Sequence, residues 1–327
     1  MSDAPVVVPV TLGSWPTPVE PAPRLAHAVG LGEDDLLIKR DDLTGLGGGG
    51  NKVRKLEWLC AAAIAQGADT LITCGARQSN HARLTAAAGA RLGLQVVLVL
   101  AGDPAGPESG NIALNGLLGA SVAWAGDVPH EDLEPVAADI LERLRGAGRR
   151  PVLIPYGGSS VLGARGYAEC GHELLAQVPE VTTVVTAVGS GGTMAGLVHV
   201  LGAPRVLGID CGAVNQPAEV VAGLVAGLGG APADPGALRI RTDHVGAGYA
   251  ELTEPVMAAL TLAARTEGLL LDPIYTGRAL AGLVSAVADG QIRSGDRTVL
   301  LHSGGLPGFF GHPATVARAA GALADFG

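Results

Sequence analysis

The chain has 327 residues, with 22 basic against 31 acidic side chains and a formal charge of -9. That length allows two domains around a cleft, and the acidic balance opposes an extended phosphate-binding face, which excludes nucleic acid as an expected partner but leaves room for a local anion pocket. The 50 glycines and 21 prolines are spread between apolar segments, so they punctuate elements rather than mark disorder.

The opening stretch MSDAPVVVPVTLGSWPTP lacks the charged and apolar regions of a signal peptide. No later apolar run escapes charge and proline long enough to span a bilayer, so a cytoplasmic protein is expected. After a proline-rich entry ending near Pro23 come the apolar Leu36-Leu37-Ile38, then Asp41-Asp42-Leu43-Thr44, then the run from Gly47 to Lys52 ahead of an apolar helical segment. Only three of the 22 basic residues are lysines, Lys39, Lys52 and Lys55, so a retained lysine invites a chemical explanation. A primary amine can lose its proton and condense with an aldehyde, which a guanidinium cannot.

Other readings of the same run stay open. Gly45, Gly47 and Gly50 fit the spacing G-x-G-x-x-G, although a dinucleotide fingerprint should follow its strand directly. A phosphate loop fails on residue chemistry, because Asn51 separates Gly50 from Lys52 and Val53 stands where a Ser or Thr should hold magnesium. A flexible turn with a solvated lysine is the remaining alternative.

Beyond the run, short apolar segments alternate with alanine-rich helical ones, which implies βαβ units with parallel strands. Strands are expected from Asp69 to Cys74, Gln95 to Leu100, Ser121 to Ala125, Val152 to Pro155, Thr183 to Val188, Arg205 to Asp210 and Thr298 to His302. Most are near-continuously apolar, as strands covered on both faces must be. Helices are expected from Ala82 to Leu92, Asn111 to Leu118, Glu131 to Arg145, Leu162 to Ala176, Thr193 to Leu201, Pro255 to Glu267 and Arg278 to Val287. With no linker rich enough to separate modules, residues 56–154 are expected to form a small unit inserted into a larger one made of 1–55 and 155–327.

Four strand ends carry small polar residues where open α/β sheets bind ligands. In Cys74-Gly75-Ala76-Arg77-Gln78-Ser79-Asn80-His81 the first helix amides suit a carboxylate, or Ser79 simply caps the helix. Val188-Gly189-Ser190-Gly191-Gly192-Thr193 reads as a phosphate cup or as a tight glycine turn. Asp272-Pro273-Ile274-Tyr275-Thr276 places a phenol and a hydroxyl before a helix, and Leu301-His302-Ser303-Gly304-Gly305 ends the last strand; Tyr249 is similarly ambiguous. Cys60, Cys74, Cys170 and Cys211 have no C-x-x-C spacing and read as small core residues, and the eight histidines hold no H-E-x-x-H pair, so no metal site is expected.

The segments IKRDDLTGLGGGGNKVRKLEWL, TLITCGARQSNHARLTAAAGARLGL, IPYGGSSVLGARGY, AVGSGGTMAGL, LLLDPIYTGRALAGL and LHSGG run over nearly the whole chain. In this order they resemble the D-cysteine desulfhydrase and aminocyclopropane-carboxylate deaminase family of pyridoxal-phosphate enzymes, with its two-domain, open parallel-sheet α/β fold of the tryptophan synthase β-like kind (fold type II). The resemblance implies that Lys52 condenses with the aldehyde of pyridoxal 5'-phosphate and later acts as general base, that Asn80 contacts the cofactor's ring hydroxyl, and that Gly189, Ser190, Gly191, Gly192 and Thr193, with Lys55, hold the phosphate. It places Ser303 near the pyridine nitrogen, Ser79 on the substrate carboxylate with Gln78 and Asn80 beside it, and Tyr249 and Tyr275 among the active-site residues, Ser79 and Tyr275 joining Lys52 in catalysis.

The deaminase branch carries a glutamate directly after its tyrosine, where this chain has Thr276, and Ser303 replaces the Thr expected of a desulfhydrase. The implied protein is a homodimeric lyase acting on D-cysteine or a close analogue. L-Cysteate, S-substituted cysteines and aminocyclopropane-carboxylate stand as alternatives, as does a non-catalytic cofactor binder.

Overall fold

The structure is a computed structural model that describes residues 7–106, 108–129, 132–229 and 233–323. Its elements follow one another as β1 (Val19–Pro21), α1 (Pro23–Ala28), β2 (Leu36–Lys39), α2 (Lys52–Ala65), β3 (Thr70–Gly75), α3 (Asn80–Leu92), β4 (Gln95–Leu100), α4 (Asn111–Leu117), β5 (Ser121–Trp124), α5 (Leu133–Gly146) and β6 (Pro151–Leu153). Then come α6 (Val161–Gln177), β7 (Thr183–Val188), α7 (Gly192–Leu201), β8 (Val206–Asp210), α8 (Pro217–Gly227), β9 (Arg239–Arg241), α9 (Glu254–Glu267), α10 (Thr276–Ala288), β10 (Thr298–Leu301), α11 (Leu306–Phe310) and α12 (Pro313–Ala320).

The strands form a six-stranded sheet in the order β1-β2-β10-β7-β8-β9 and a four-stranded sheet in the order β5-β4-β3-β6. Every strand pair is parallel except β1 with β2, so the alternation of apolar and helical segments does specify parallel sheets. Alternate residues explain the continuous apolar strands. Leu36, Ile38, Val185, Leu207, Ile209 and Leu300 pack under α1, α9 and α10, whereas Leu37, Val184, Val206, Val299 and Leu301 pack under α6, α7 and α8. In the smaller sheet Leu71, Val96, Leu98 and Leu100 meet α2 and α3, and Ile72, Cys74 and Val99 meet α5.

The expected strands and helices recur with ends displaced by a residue or two. The start of the helix expected at Glu131 lies outside the described residues, as do residues 1–6 and 324–327 of the larger expected unit. β1 and β9 have no counterpart in the sequence reading. The first contains Pro21 and tolerates it because it is an edge strand, and the second is a three-residue edge with two arginines and no apolar run. Helices α1, α8, α11 and α12 are also absent from the sequence reading; all four carry a proline at the first or second position, which fits the first helical turn although it reads as a loop signal. All four cysteines are buried free thiols. Among the described residues no helix is long and apolar enough to cross a membrane.

Candidate active site

The ends of β3, β7 and β10, from both sheets, open onto one cavity, together with the glycine run that enters α2 and the loop that enters α10. The glycine run is held rather than loose. Gly49 has φ +73°, and a Cβ there would lie 1.8 Å from the Asp42 carbonyl oxygen, so only glycine fits. Gly50 N donates to Thr44 Oγ1 at 2.9 Å, Asn51 N to the Ser303 carbonyl at 2.9 Å, and Asn51 Nδ2 to Thr193 Oγ1 at 3.0 Å. Asn51 thereby joins the run to the ends of β10 and β7.

Lys52, the first residue of α2, lines the cavity, and its amine hydrogen-bonds to no other described residue. Burial disfavours its charged form and brings its pKa from 10.5 down to about 8, so a useful fraction of the amine is neutral near pH 7. A flexible turn with a solvated lysine does not describe this residue. The other two lysines have different surroundings. Lys39 is buried and donates to Thr17 O at 2.9 Å, Glu173 at 2.8 Å and Gln177 at 2.7 Å, which gives it a structural reason to be a lysine. Lys55 is buried at the cavity and donates to Ser159 Oγ at 2.9 Å and Gly157 O at 3.3 Å; burial, with Lys52 nearby, pushes its pKa well below the usual lysine value.

Ser79 caps α3, its Oγ accepting from Ala82 N at 3.1 Å, and both Ser79 and Asn80 line the cavity. A hydroxyl that accepts one amide keeps its own proton to donate, so capping and ligand binding are compatible at this residue. Gln78 lines the adjoining pocket, which shares Ala76, Asn80, Tyr249 and Tyr275 with this cavity; its amide donates to Ser109 O at 3.0 Å and accepts from Asn111 N at 2.8 Å. His81 lines it, with Nε2 3.0 Å from Thr73 Oγ1, and burial together with Lys52 and Lys55 holds its pKa well below 6.5. Because Thr73 Oγ1 donates to Ile154 O, it accepts from the ring, which puts the proton on Nε2.

At the end of β7, Gly189, Ser190, Gly191 and Thr193 line the cavity, and α7 begins without a side-chain cap. Gly192 stands just behind them, donating its N–H to Ser159 Oγ at 3.1 Å; a Cβ there would come within 2.7 Å of that oxygen and 3.0 Å of Lys55 Nζ. Ser159 Oγ also lies 2.7 Å from Ser190 Oγ. Ser159 and the lining residue Tyr156 received no role from the sequence, although Tyr156-Gly157-Gly158-Ser159 follows β6 as the other polar turns follow their strands.

Tyr275 and Tyr249 also line the cavity, the Tyr275 ring beside Gly189, their hydroxyls 2.5 Å apart and their rings edge to face with centroids 6.0 Å apart. Burial raises Tyr249 to about 12 and Tyr275 well above 10, so both are neutral phenols able to donate. Thr276 is buried behind them. Its hydroxyl donates to Asp272 Oδ1 at 2.7 Å and accepts from Asp272 N at 2.8 Å, while Asp272 also accepts the amides of Ile274, Tyr275 and Thr276. Ser303 completes the lining, which holds two lysines and no Asp or Glu among the described residues. A cavity with that set of donors and no acidic group can take a small anionic ligand beside a reactive amine.

A family model described as "Pyridoxal-phosphate dependent enzyme" matches residues 10–304. A protein of Pyrococcus abyssi (strain GE5 / Orsay) named "Putative 1-aminocyclopropane-1-carboxylate deaminase" is 40% identical over 318 residues, covering 92% of each chain. The D-cysteine desulfhydrase of Salmonella schwarzengrund (strain CVM19633) is 38% identical over 318 residues, covering 91% of this chain and 94% of its own. Among solved structures, a crystal structure of an "ACC deaminase homologue" superposes with a TM-score of 0.86 at 33% identity, covering 95% of both chains.

Proposed function

The chain belongs to the pyridoxal-phosphate dependent enzyme family, in the group of D-cysteine desulfhydrase and aminocyclopropane-carboxylate deaminase, and from that membership we propose that it cleaves the β-carbon to sulfur bond of D-cysteine or a close analogue. Sulfide, pyruvate and ammonia are the products. It is a cofactor-dependent enzyme of fold type II. The reading extends to a homodimer in the cytoplasm, with 56–154 as the small unit and 1–55 with 155–327 as the large one.

The residues present fit pyridoxal phosphate. Lys52 offers a desolvated amine with no hydrogen-bond partner among the described residues, and the turn from Gly189 to Thr193 offers backbone amides beside the Lys55 amine, donors of the kind a phosphate requires. Asn80 would meet the ring hydroxyl and Ser303 the ring nitrogen. When bound, the cofactor supplies an electron sink for the charge left at the substrate's α-carbon.

The chain's own side chains would do the rest. Ser79 Oγ, already accepting from Ala82 N, would donate its proton to the substrate carboxylate at the start of α3. Lys52, released when the amino acid's own amine takes its place, would remove the α-proton, a task suited to an amine near pKa 8. The sulfur of cysteine would leave as hydrosulfide with the electron pair of its bond to the β-carbon, and the neutral Tyr249–Tyr275 pair would offer it a hydrogen bond while keeping its protons. One water then converts the unsaturated amine that remains into pyruvate and ammonia.

The observation that carries the choice of substrate is that no carboxylate is among the described residues lining the cavity of Lys52: Thr276 stands after Tyr275, and Asp272, which borders the adjoining pocket, has its oxygens taken by the amides of Ile274, Tyr275 and Thr276 and by the Thr276 hydroxyl. A carboxylate near the ring would strengthen the electron sink, which opening a cyclopropane demands because no heteroatom departs. A group aimed at developing charge is commonly worth ~3 kcal/mol, about a hundredfold in rate. The specificity constant for D-cysteine should therefore exceed that for aminocyclopropane-carboxylate by about a hundredfold or more. Sulfide and pyruvate assays on the unaltered protein give the ratio, and an aminocyclopropane-carboxylate constant equal or higher reverses the choice while leaving Lys52 and the cofactor in place.

A further inference from the structure

Arg83 lies within α3, fully buried and outside the cavity lining. Its Nη1 donates to Asn80 Oδ1 at 3.1 Å and Asn111 Oδ1 at 2.9 Å, and its Nη2 to the Gly49 carbonyl at 2.6 Å. Asn111, equally buried, donates Nδ2 to Asn80 Oδ1 at 2.9 Å and to Gln78 O at 2.8 Å. Burial lowers the Arg83 pKa to about 10, with Asp272 opposing the shift, so at neutral pH the group stays charged.

An arginine has no acceptor atom, so the Asn80 atom that faces it must be the carbonyl oxygen. That oxygen receives two donors. The Asn80 Nδ2 group, bonded to no described residue, is left for the cavity that Asn80 lines. Asn80 thus offers the ligand donors and no acceptor, a polarity that the asparagine alone does not determine.

We propose that Arg83, together with Asn111, is a positioning residue that fixes the Asn80 amide with its N–H groups toward the cofactor's ring oxygen. By holding the Gly49 carbonyl as well, it ties that contact to the glycine run that delivers Lys52. The proposal rests on Asn80 as the ring-oxygen contact. A donor on an anionic oxygen partly neutralises it, and the oxygen then holds less tightly the proton on the adjacent nitrogen contributed by Lys52. Without Arg83 the Asn80 amide is at liberty to turn, the donor is lost and that proton is held more firmly.

The test is the pH titration of the visible band of the cofactor-loaded protein, alongside the dissociation constant of pyridoxal phosphate for the stripped protein. Asn80→Ala and Arg83→Met should each raise the titration midpoint by about one to two pH units, the range expected for one lost hydrogen bond to a charged oxygen. In the double variant the shift should be no larger than in Asn80→Ala alone, because both changes remove the same contact. Arg83→Lys keeps the charge and most of the bulk but cannot reach Asn80, Asn111 and Gly49 together, so it should shift the midpoint in the same direction if Arg83→Met does not fold. Both dissociation constants should rise with the midpoint. An unchanged midpoint in the Arg83 variants beside a shifted one in Asn80→Ala overturns the proposal, and an unchanged midpoint in Asn80→Ala overturns the Asn80 contact and the proposal with it.

Discussion

The turn from β3 into α3 is capped by its own Ser79, whereas the turn from β7 into α7 has no side-chain cap and is made mostly of glycine. Both follow a largely buried parallel strand, and both open a helix at the edge of the cavity. The α3 turn presents hydroxyl and amide donors with fixed directions, Ser79 held by Ala82 N and Asn80 by Arg83 and Asn111. The α7 turn presents bare backbone, with Gly192 backed against Ser159 and Lys55. Side-chain donors suit groups that must be oriented, such as a carboxylate or a ring oxygen. Bare amides suit a phosphate, which accepts hydrogen bonds from many directions.

Both turns act strongly only if the space between them is dry, since hydrogen bonds to charge weaken in water. The Lys52 amine reports on that dryness. In the cofactor-free protein its condensation with an aldehyde should reach half its maximal rate near pH 8, rising with pH because the neutral amine reacts. At pH 7 this gives roughly 300-fold more neutral amine than an unperturbed lysine would have. A midpoint near that of a free lysine would mean a hydrated cavity and would remove the physical basis of the comparison.

Gly191→Val separates the turns by a smaller margin. Gly191 has φ +81°, and a Cβ would lie 3.1 Å from Val220, so a branched side chain brings strain of about 2 kcal/mol or more into the α7 turn. Retention of pyridoxal phosphate should fall by about thirtyfold or more. Equilibrium dialysis measures it, and retention equal to the parent's would reduce the turn to a connector. Ser79→Ala should act on the other turn, raising KM by about tenfold through one lost hydrogen bond to the carboxylate while cofactor affinity stays unchanged. Loss of the cap should also cost about 1 kcal/mol of stability in denaturant unfolding. Weaker cofactor binding with an unaltered KM would interchange the roles of the two turns.

What the sequence revealed and what it hid divide along the reach of each interaction. Parallel strands, the glycine turns and Lys52 at a helix start are local patterns, carried by neighbouring residues. The surroundings of Lys39 were not local, because its ammonium meets Glu173 and Gln177, 134 and 138 residues away. Scarcity of lysine pointed equally to all three, and only burial and partners separate Lys52 from a structural ion pair. Gln78 shows the same limit, since the resemblance set it beside Ser79 but could not show that its amide meets Ser109 and Asn111, 31 and 33 residues away, at the edge of the adjoining pocket. At Ser79 the alternatives of cap and ligand contact were not exclusive, because a hydroxyl accepts and donates at once.

Cofactor binding and proton transfer both turn on Lys52 being the amine that meets the cofactor. Borohydride reduction of the cofactor-loaded protein, followed by peptide mapping, tests this directly. The predicted result is a single covalent adduct on Lys52 that is lost in Lys52→Ala, and an adduct on Lys55 or Lys39 with Lys52 unmodified would contradict it.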